Sequence, residues 1–183
     1  MKKNIFSWLT IVMMAVVCVG FAGCGSDDDD GGGSGKSGSD AGEASISVNY
    51  GFYQTYAPTE WALYFSNYDL TGTGFVNAND VNILEIDLDT SDSWTELPVG
   101  TFSNFRVTSI KGMSTTGGEP QQYYEGSSRL NPDATLTIQK SGNNYTVSFK
   151  GIDLYGDDSN TPTVKNTSFN YSGSMKLIAK GSK

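Results

Sequence analysis

A chain of 183 residues with a net charge of −8 is one domain's worth of polypeptide, and its acidic balance closes off nucleic acid phosphates as partners. It contains no histidine, which excludes Ser-His-Asp and Cys-His nucleophile pairs, imidazole bases and imidazole metal ligands together. Its two cysteines, Cys18 and Cys24, both lie near the start. The remainder therefore has no thiolate zinc site and no disulfide, and its core alone must hold it together.

The chain opens with the anatomy of a secretory signal: Lys2 and Lys3, an apolar run from about Trp8 to Val19, then the small residues Ala22 and Gly23. The apolar run falls short of the about 20 residues that a membrane span takes. Phe21-Ala-Gly-Cys24 resembles the lipobox of bacterial lipoproteins, with Phe21 where leucine is commoner. That resemblance implies removal of residues 1–23 and acylation of Cys24 as the first mature residue; the alternative is a plain secretory signal with an incidental cysteine. Processing would leave 160 residues and, with Lys2 and Lys3 gone, a net charge of −10.

Residues 25–43 are Gly, Ser and acidic residues with one lysine and one alanine, and carry no core-forming side chain. As coil, such a linker spans about 25 Å, enough to lift a folded domain clear of lipid headgroups. Asp27, Asp28, Asp29 and Asp30 resemble the acidic export signal of lipoproteins that some Gram-negative bacteria move to their outer surface. The plainer alternative is a solvated linker. Gly35-Lys36-Ser37 has the end of a phosphate loop, but Asp30 stands where the pattern needs glycine, and no strand precedes it. It is linker.

From Ala44 the period becomes two. Ile46, Val48, Tyr50 and Phe52 alternate with polar or small residues, and Trp61, Leu63 and Phe65 repeat the pattern after a turn at Ala57-Pro58. Leu84, Ile86 and Leu88 follow, with Glu85, Asp87 and Asp89 between them as an expected solvated face. Leu97 to Phe102 is read as a turn entering a strand that runs to about Ile110, then a Gly-rich loop from Ser114 to Pro120 and a short strand within Gln121–Leu130. Leu136 and Ile138, a four-residue loop Ser141-Gly-Asn-Asn144, and Tyr145, Val147 and Phe149 read as a hairpin. Tyr155 to Thr163 is a polar loop before a final strand carrying Phe169, Tyr171, Met175 and Leu177. No window has an apolar stripe at helical spacing.

The expected domain, 44–183, is therefore all-β: an antiparallel β-sandwich or flattened β-barrel of about eight strands. Leu97-Pro-Val-Gly-Thr-Phe102 and Tyr145-Thr-Val-Ser-Phe149 also resemble recurring elements of small all-β surface lipoproteins of gut-type bacteria, proteins mostly without an assigned activity.

Asp69 to Asp80 resembles a dockerin or EF-hand calcium loop, with Asp69 first, Gly74 at the sharp turn and Asp80 last. The third and fifth ligand positions hold neutral Thr71 and Thr73, and the following segment alternates like a strand instead of a helix. No metal and no cofactor is expected. Among the aromatics, Trp61 alternates with core residues, whereas Trp94, set among Ser91, Asp92, Ser93 and Thr95, is the candidate for exposure and ligand stacking. Tyr123 and Tyr124 adjoin another loop.

The sequence thus reads as a protein lipid-anchored in the outer membrane and facing the cell exterior. Its β domain is expected to act as a binding or interaction module for a glycan or protein partner at the cell surface. The rival reading is a structural subunit of a surface fibre or envelope complex, which would show long exposed edge strands. A carboxylate-based glycosidase needs two acids about 5–10 Å apart in a cleft; the scattered Asp and Glu single out no such pair, and no catalytic residue is expected.

Overall fold

The computed structural model describes residues 48–71, 78–116, 121–129, 133–156 and 160–180. The expected signal, Cys24, Asp27 to Asp30 and the linker lie outside the described residues. Within them the chain is all-β, with nine strands: β1 (Tyr50–Ala57), β2 (Glu60–Ser66), β3 (Val81–Asp89), β4 (Gly100–Phe102), β5 (Phe105–Ser114), β6 (Gln121–Ser128), β7 (Leu136–Ser141), β8 (Asn144–Tyr155) and β9 (Pro162–Lys180). They form one sheet in the order β4-β7-β8-β6-β5-β3-β2-β1-β9, and β9 also pairs with β8. The sheet therefore doubles back into two layers, as a flattened sandwich.

The pairing is mixed, not wholly antiparallel. β9 runs antiparallel to β8 from Asn144↔Ser174 to Tyr155↔Pro162. Its last third runs parallel to β1, from Gly51↔Met175 to Thr55↔Lys180. A period of two reports which side chains share a face but carries no strand direction, so alternation could not show that the final strand closes against the first.

Two other expectations change in detail. The turn expected over Leu97 to Phe102 ends in a short strand of its own, β4, and Ser103-Asn104 separates it from β5, the strand expected to run to about Ile110. The β7–β8 hairpin is tighter than read, because Ser141 pairs with Asn144. Gly142, with φ 58°, and Asn143 form the two-residue turn. A positive φ at the first central position alone makes this a type II′ turn, which glycine adopts without a steric penalty.

The main core lies between the layers. Leu63 and Phe65 of β2, Leu84, Ile86 and Leu88 of β3, and Val107 of β5 meet Leu136 of β7, Val147 and Phe149 of β8, and Phe169 and Tyr171 of β9. Ring contacts span the gap: Phe65 lies 4.7 Å from Phe169 and 4.9 Å from Tyr171 between centroids, within the range where tilted rings attract.

A second cluster covers the outer face of the β1–β2–β3–β5 layer. Phe52, Ala62, Tyr64, Ile83 and Ile110 are buried there with Leu70, Ala78 and Met113, and Ile178 packs against them. Leu70 and Ala78 belong to the link between β2 and β3. The Ala78 end is fastened by Thr115, whose Oγ1 accepts from the Ala78 amide at 2.9 Å and whose own amide donates to the Ala78 carbonyl. β2 is consequently buried on both faces from Trp61 to Ser66.

This cover also corrects the expected solvated acidic face of β3 at one of its three positions. Asp87 and Asp89 are exposed, but Glu85 is only 8% exposed.

Candidate functional site

At one end of the sandwich two rings packed on the main core, Tyr53 and Trp94, come partly to the surface. The chain turns there at Pro58-Thr59, and the segment from Thr90 to Val99 crosses the same end. The Thr90 amide donates to the Thr59 carbonyl at 2.8 Å, and the Trp94 amide to the Pro58 carbonyl at 2.9 Å. The same Pro58 carbonyl accepts from Trp61 Nε1 at 3.3 Å. The segment is thereby strapped onto the turn, and Leu97 is buried in the main core.

Tyr53 stands at the rim. It alternates with Phe52, which faces the second cluster, so Tyr53 faces the main core and is half-buried against it. Its ring centroid lies 6.4 Å from Trp61 and 6.5 Å from Tyr145. Its register partner on β9 is Leu177, 39% exposed. Burial and then the nearby Tyr145 phenol raise the Tyr53 pKa, so the hydroxyl stays protonated and can both donate and accept.

Lys140 closes the other side. It pairs directly with Tyr145 across the β7–β8 hairpin, and its ammonium sits 5.4 Å from the Tyr145 ring centroid. It is 3.2 Å from Glu96 Oε2, and both partners are solvent-exposed. Hydrogen bonds to Tyr145 and to Glu96 hold the Lys140 pKa above its ordinary value. An exposed pair of this kind adds little stability, but it presents a donor and an acceptor side by side.

Beyond Lys140 lies an open groove of about 530 Å³ lined by Val99, Gly100, Ile138, Gln139, Lys140, Ser141 and Thr146. It exists because β4 begins at Gly100, opposite Ile138, so Gln139 to Ser141 run on past the end of their edge neighbour. The rim thus combines the half-buried Tyr53 and Trp94 rings over the buried Trp61 and Tyr145, an exposed Leu177 and Val99, a cation–carboxylate pair and a furrow in the sheet edge. Such a surface can stack a flat apolar face and hydrogen-bond the hydroxyls around it.

Trp94 is at this rim, but it is half-buried and packs against the main core instead of standing free. Tyr123 and Tyr124 lie in β6, in the stretch expected to hold a short strand, and pair with Lys111 and Ile110, towards the other end of the sheet. Sequence reading missed Tyr53, Glu96, Lys140 and Tyr145. Only the Lys140–Tyr145 pair had a local signal, from their placement on the two arms of one hairpin.

The start of the calcium-like loop is occupied by protein. Asp69 Oδ1 accepts from the Thr71 amide at 2.9 Å and from the Thr71 hydroxyl at 2.6 Å, and Asp69 Oδ2 lies 3.2 Å from the Lys176 ammonium. Burial pushes the Asp69 pKa up, but the Thr71 hydrogen bonds and Lys176 outweigh this and hold it below the ordinary value. Residues 72–77 lie outside the described ones. Among the described residues no cluster of three His, Cys, Asp or Glu side chains assembles to hold a metal ion.

No protein-family model matches this chain, and comparison with curated proteins and with solved structures finds no similar chain.

Proposed function

We propose that this protein is a lipid-anchored, outward-facing lipoprotein whose β domain binds a neutral glycan at the Tyr53–Tyr145–Lys140–Glu96 rim. The observation that carries the binding role is the rim itself, where the half-buried Tyr53 ring, backed by the buried Tyr145 and Trp61, reaches solvent beside a charged pair and an open groove. The Cys24 lipobox and the linker support the anchor; Asp27 to Asp30 support export.

The fibre-subunit reading draws less support. One end of the sheet order is β4, three residues long, and at the other end the last third of β9 is covered by β1; short or covered edges limit strand addition by a partner. A glycosidase draws less still, because Glu85 and Asp87, two acids sharing one face of β3, lie away from the groove.

Titrating the detergent-solubilised full chain with neutral gluco-oligosaccharides, while following tryptophan emission, tests the binding role. A saturable change is expected; a flat trace at millimolar sugar refutes it. The anchor is tested separately by feeding cells an alkyne fatty acid. Label should be lost in Cys24→Ala, and label that persists refutes acylation there. Neutralising Asp27 to Asp30 as alanines should shield the domain from proteinase added to whole cells. Unchanged digestion refutes the export role.

A further inference from the structure

Glu85 occupies the middle of β3, opposite Tyr64 on one side and Thr108 on the other. It shares the outer face with the second cluster, and its side chain is almost wholly removed from solvent. Its hydrogen-bond partner is the buried Tyr64 hydroxyl, which sits 3.2 Å from the hydroxyl of Tyr56, a ring exposed to solvent at the margin of the face. The charged and titratable groups around it are Tyr56 on β1, Tyr64 and Glu60 on β2, Asp87 and Asp89 on β3, and Arg106 on β5, which pairs with Asp87. Among the described residues no ammonium or guanidinium pairs with Glu85 itself.

A buried, unpaired carboxylate is costly enough that the group ordinarily keeps its proton. The same face holds a second sign of sparse solvation: Gln54 is buried, and its Oε1 has no hydrogen-bond partner. Gln54 pairs with Ala62, which pairs with Asp87, so it lies one row from Tyr64 and Glu85 on the pleated surface.

We propose that Glu85 is a proton-operated latch on the outer face of β1–β2–β3: protonated, it keeps the face dry and closed; ionised, it draws in water and loosens the Tyr56–Tyr64 cover. Burial first and then the Asp87 charge push its pKa up to about 8, with the Tyr64 hydrogen bond pulling the other way. Water admitted by the open form would also reach the unpartnered Gln54 oxygen. The inference does not depend on the glycan rim, which lies on the other face of the layer.

The sign follows from proton linkage. The closed form holds the Glu85 proton more tightly than an open or unfolded form with an ordinary carboxyl value near 4.5. Closure is therefore fully favoured below that value, weakens as pH rises, and levels off above about 8. Between the two values the opening equilibrium should grow about tenfold per pH unit. The chain has no histidine, so no imidazole titrates in this window.

Hydrogen exchange of the detergent-solubilised full chain, corrected for the intrinsic pH dependence of exchange, reads this directly. From pH 5 to pH 7, peptides covering Tyr50–Ser66 and Val81–Asp89 should lose protection about tenfold per pH unit. Peptides of the β7–β8 hairpin should not. Glu85→Gln should remove the pH dependence, and in a series extended to pH 9 Asp87→Asn should bring the levelling-off to lower pH by removing the neighbouring negative charge. PH-independent protection in the parent chain, the same loss in Glu85→Gln, or an unmoved levelling-off in Asp87→Asn would each overturn the latch.

Discussion

The Tyr171 ring lies against the backbone of Gly51, filling the space a side chain there would take. A Cβ on Gly51 would stand 2.8 Å from Tyr171 Cζ, and the Tyr171 hydroxyl donates to the Ser174 carbonyl at 2.6 Å. This contact sits where β1 and β9 begin their parallel pairing, Gly51 opposite Met175, so it governs how the last strand closes against the first. Gly51→Ala should destabilise the domain by about 1–3 kcal/mol through overpacking, measured by urea unfolding. Tyr171→Phe should cost about 1 kcal/mol through the lost hydrogen bond. An unaffected Gly51→Ala would show that β9 is held elsewhere.

Trp61 and Trp94 should differ less than their sequence surroundings suggest. Trp61 is 3% exposed, and its alanine variant should lose about 3–5 kcal/mol. Trp94 is half-buried against the same core, so Trp94→Ala should cost about 1–2 kcal/mol instead of leaving folding nearly unchanged. Chemical denaturation of both variants decides this, and a neutral Trp94→Ala would contradict the packing.

Millimolar calcium should leave the melting temperature unchanged after chelator treatment. The Asp69 carboxylate is already engaged by Thr71 and Lys176, and a cation there would have to displace the ammonium. A site filled at 100 times its dissociation constant would add about 2.7 kcal/mol, a rise of several degrees in a domain of this size. Such a rise would refute the expectation of no metal.

Much of the fold was legible because period-two patterns are local. Leu84, Ile86 and Leu88 are an inner face in the sequence and in the structure alike. The fate of Glu85 was not legible, since alternation identifies a second face but not what lies upon it. Whether that face is wet depends on the β2–β3 link returning Leu70 and Ala78 over it. The rim was less legible again. Lys140 and Glu96 meet across a sequence separation of 44 residues, and Tyr53 joins them only because β1 buries both of its faces. Trp94 drew attention through its polar neighbours, yet a backbone hydrogen bond to Pro58, distant in sequence, draws it inward.

Glycan binding at the rim is the central claim, and isothermal titration of neutral gluco-oligosaccharides into the parent chain, Tyr53→Ala and Lys140→Ala tests it most directly. Lys140 is exposed, so its variant should melt like the parent and isolate binding from folding. The account predicts saturable binding by the parent and at least about a tenfold weaker affinity in each variant, equivalent to about 1.4 kcal/mol. Absence of saturable binding by the parent, or equal affinity in all three proteins, would contradict it.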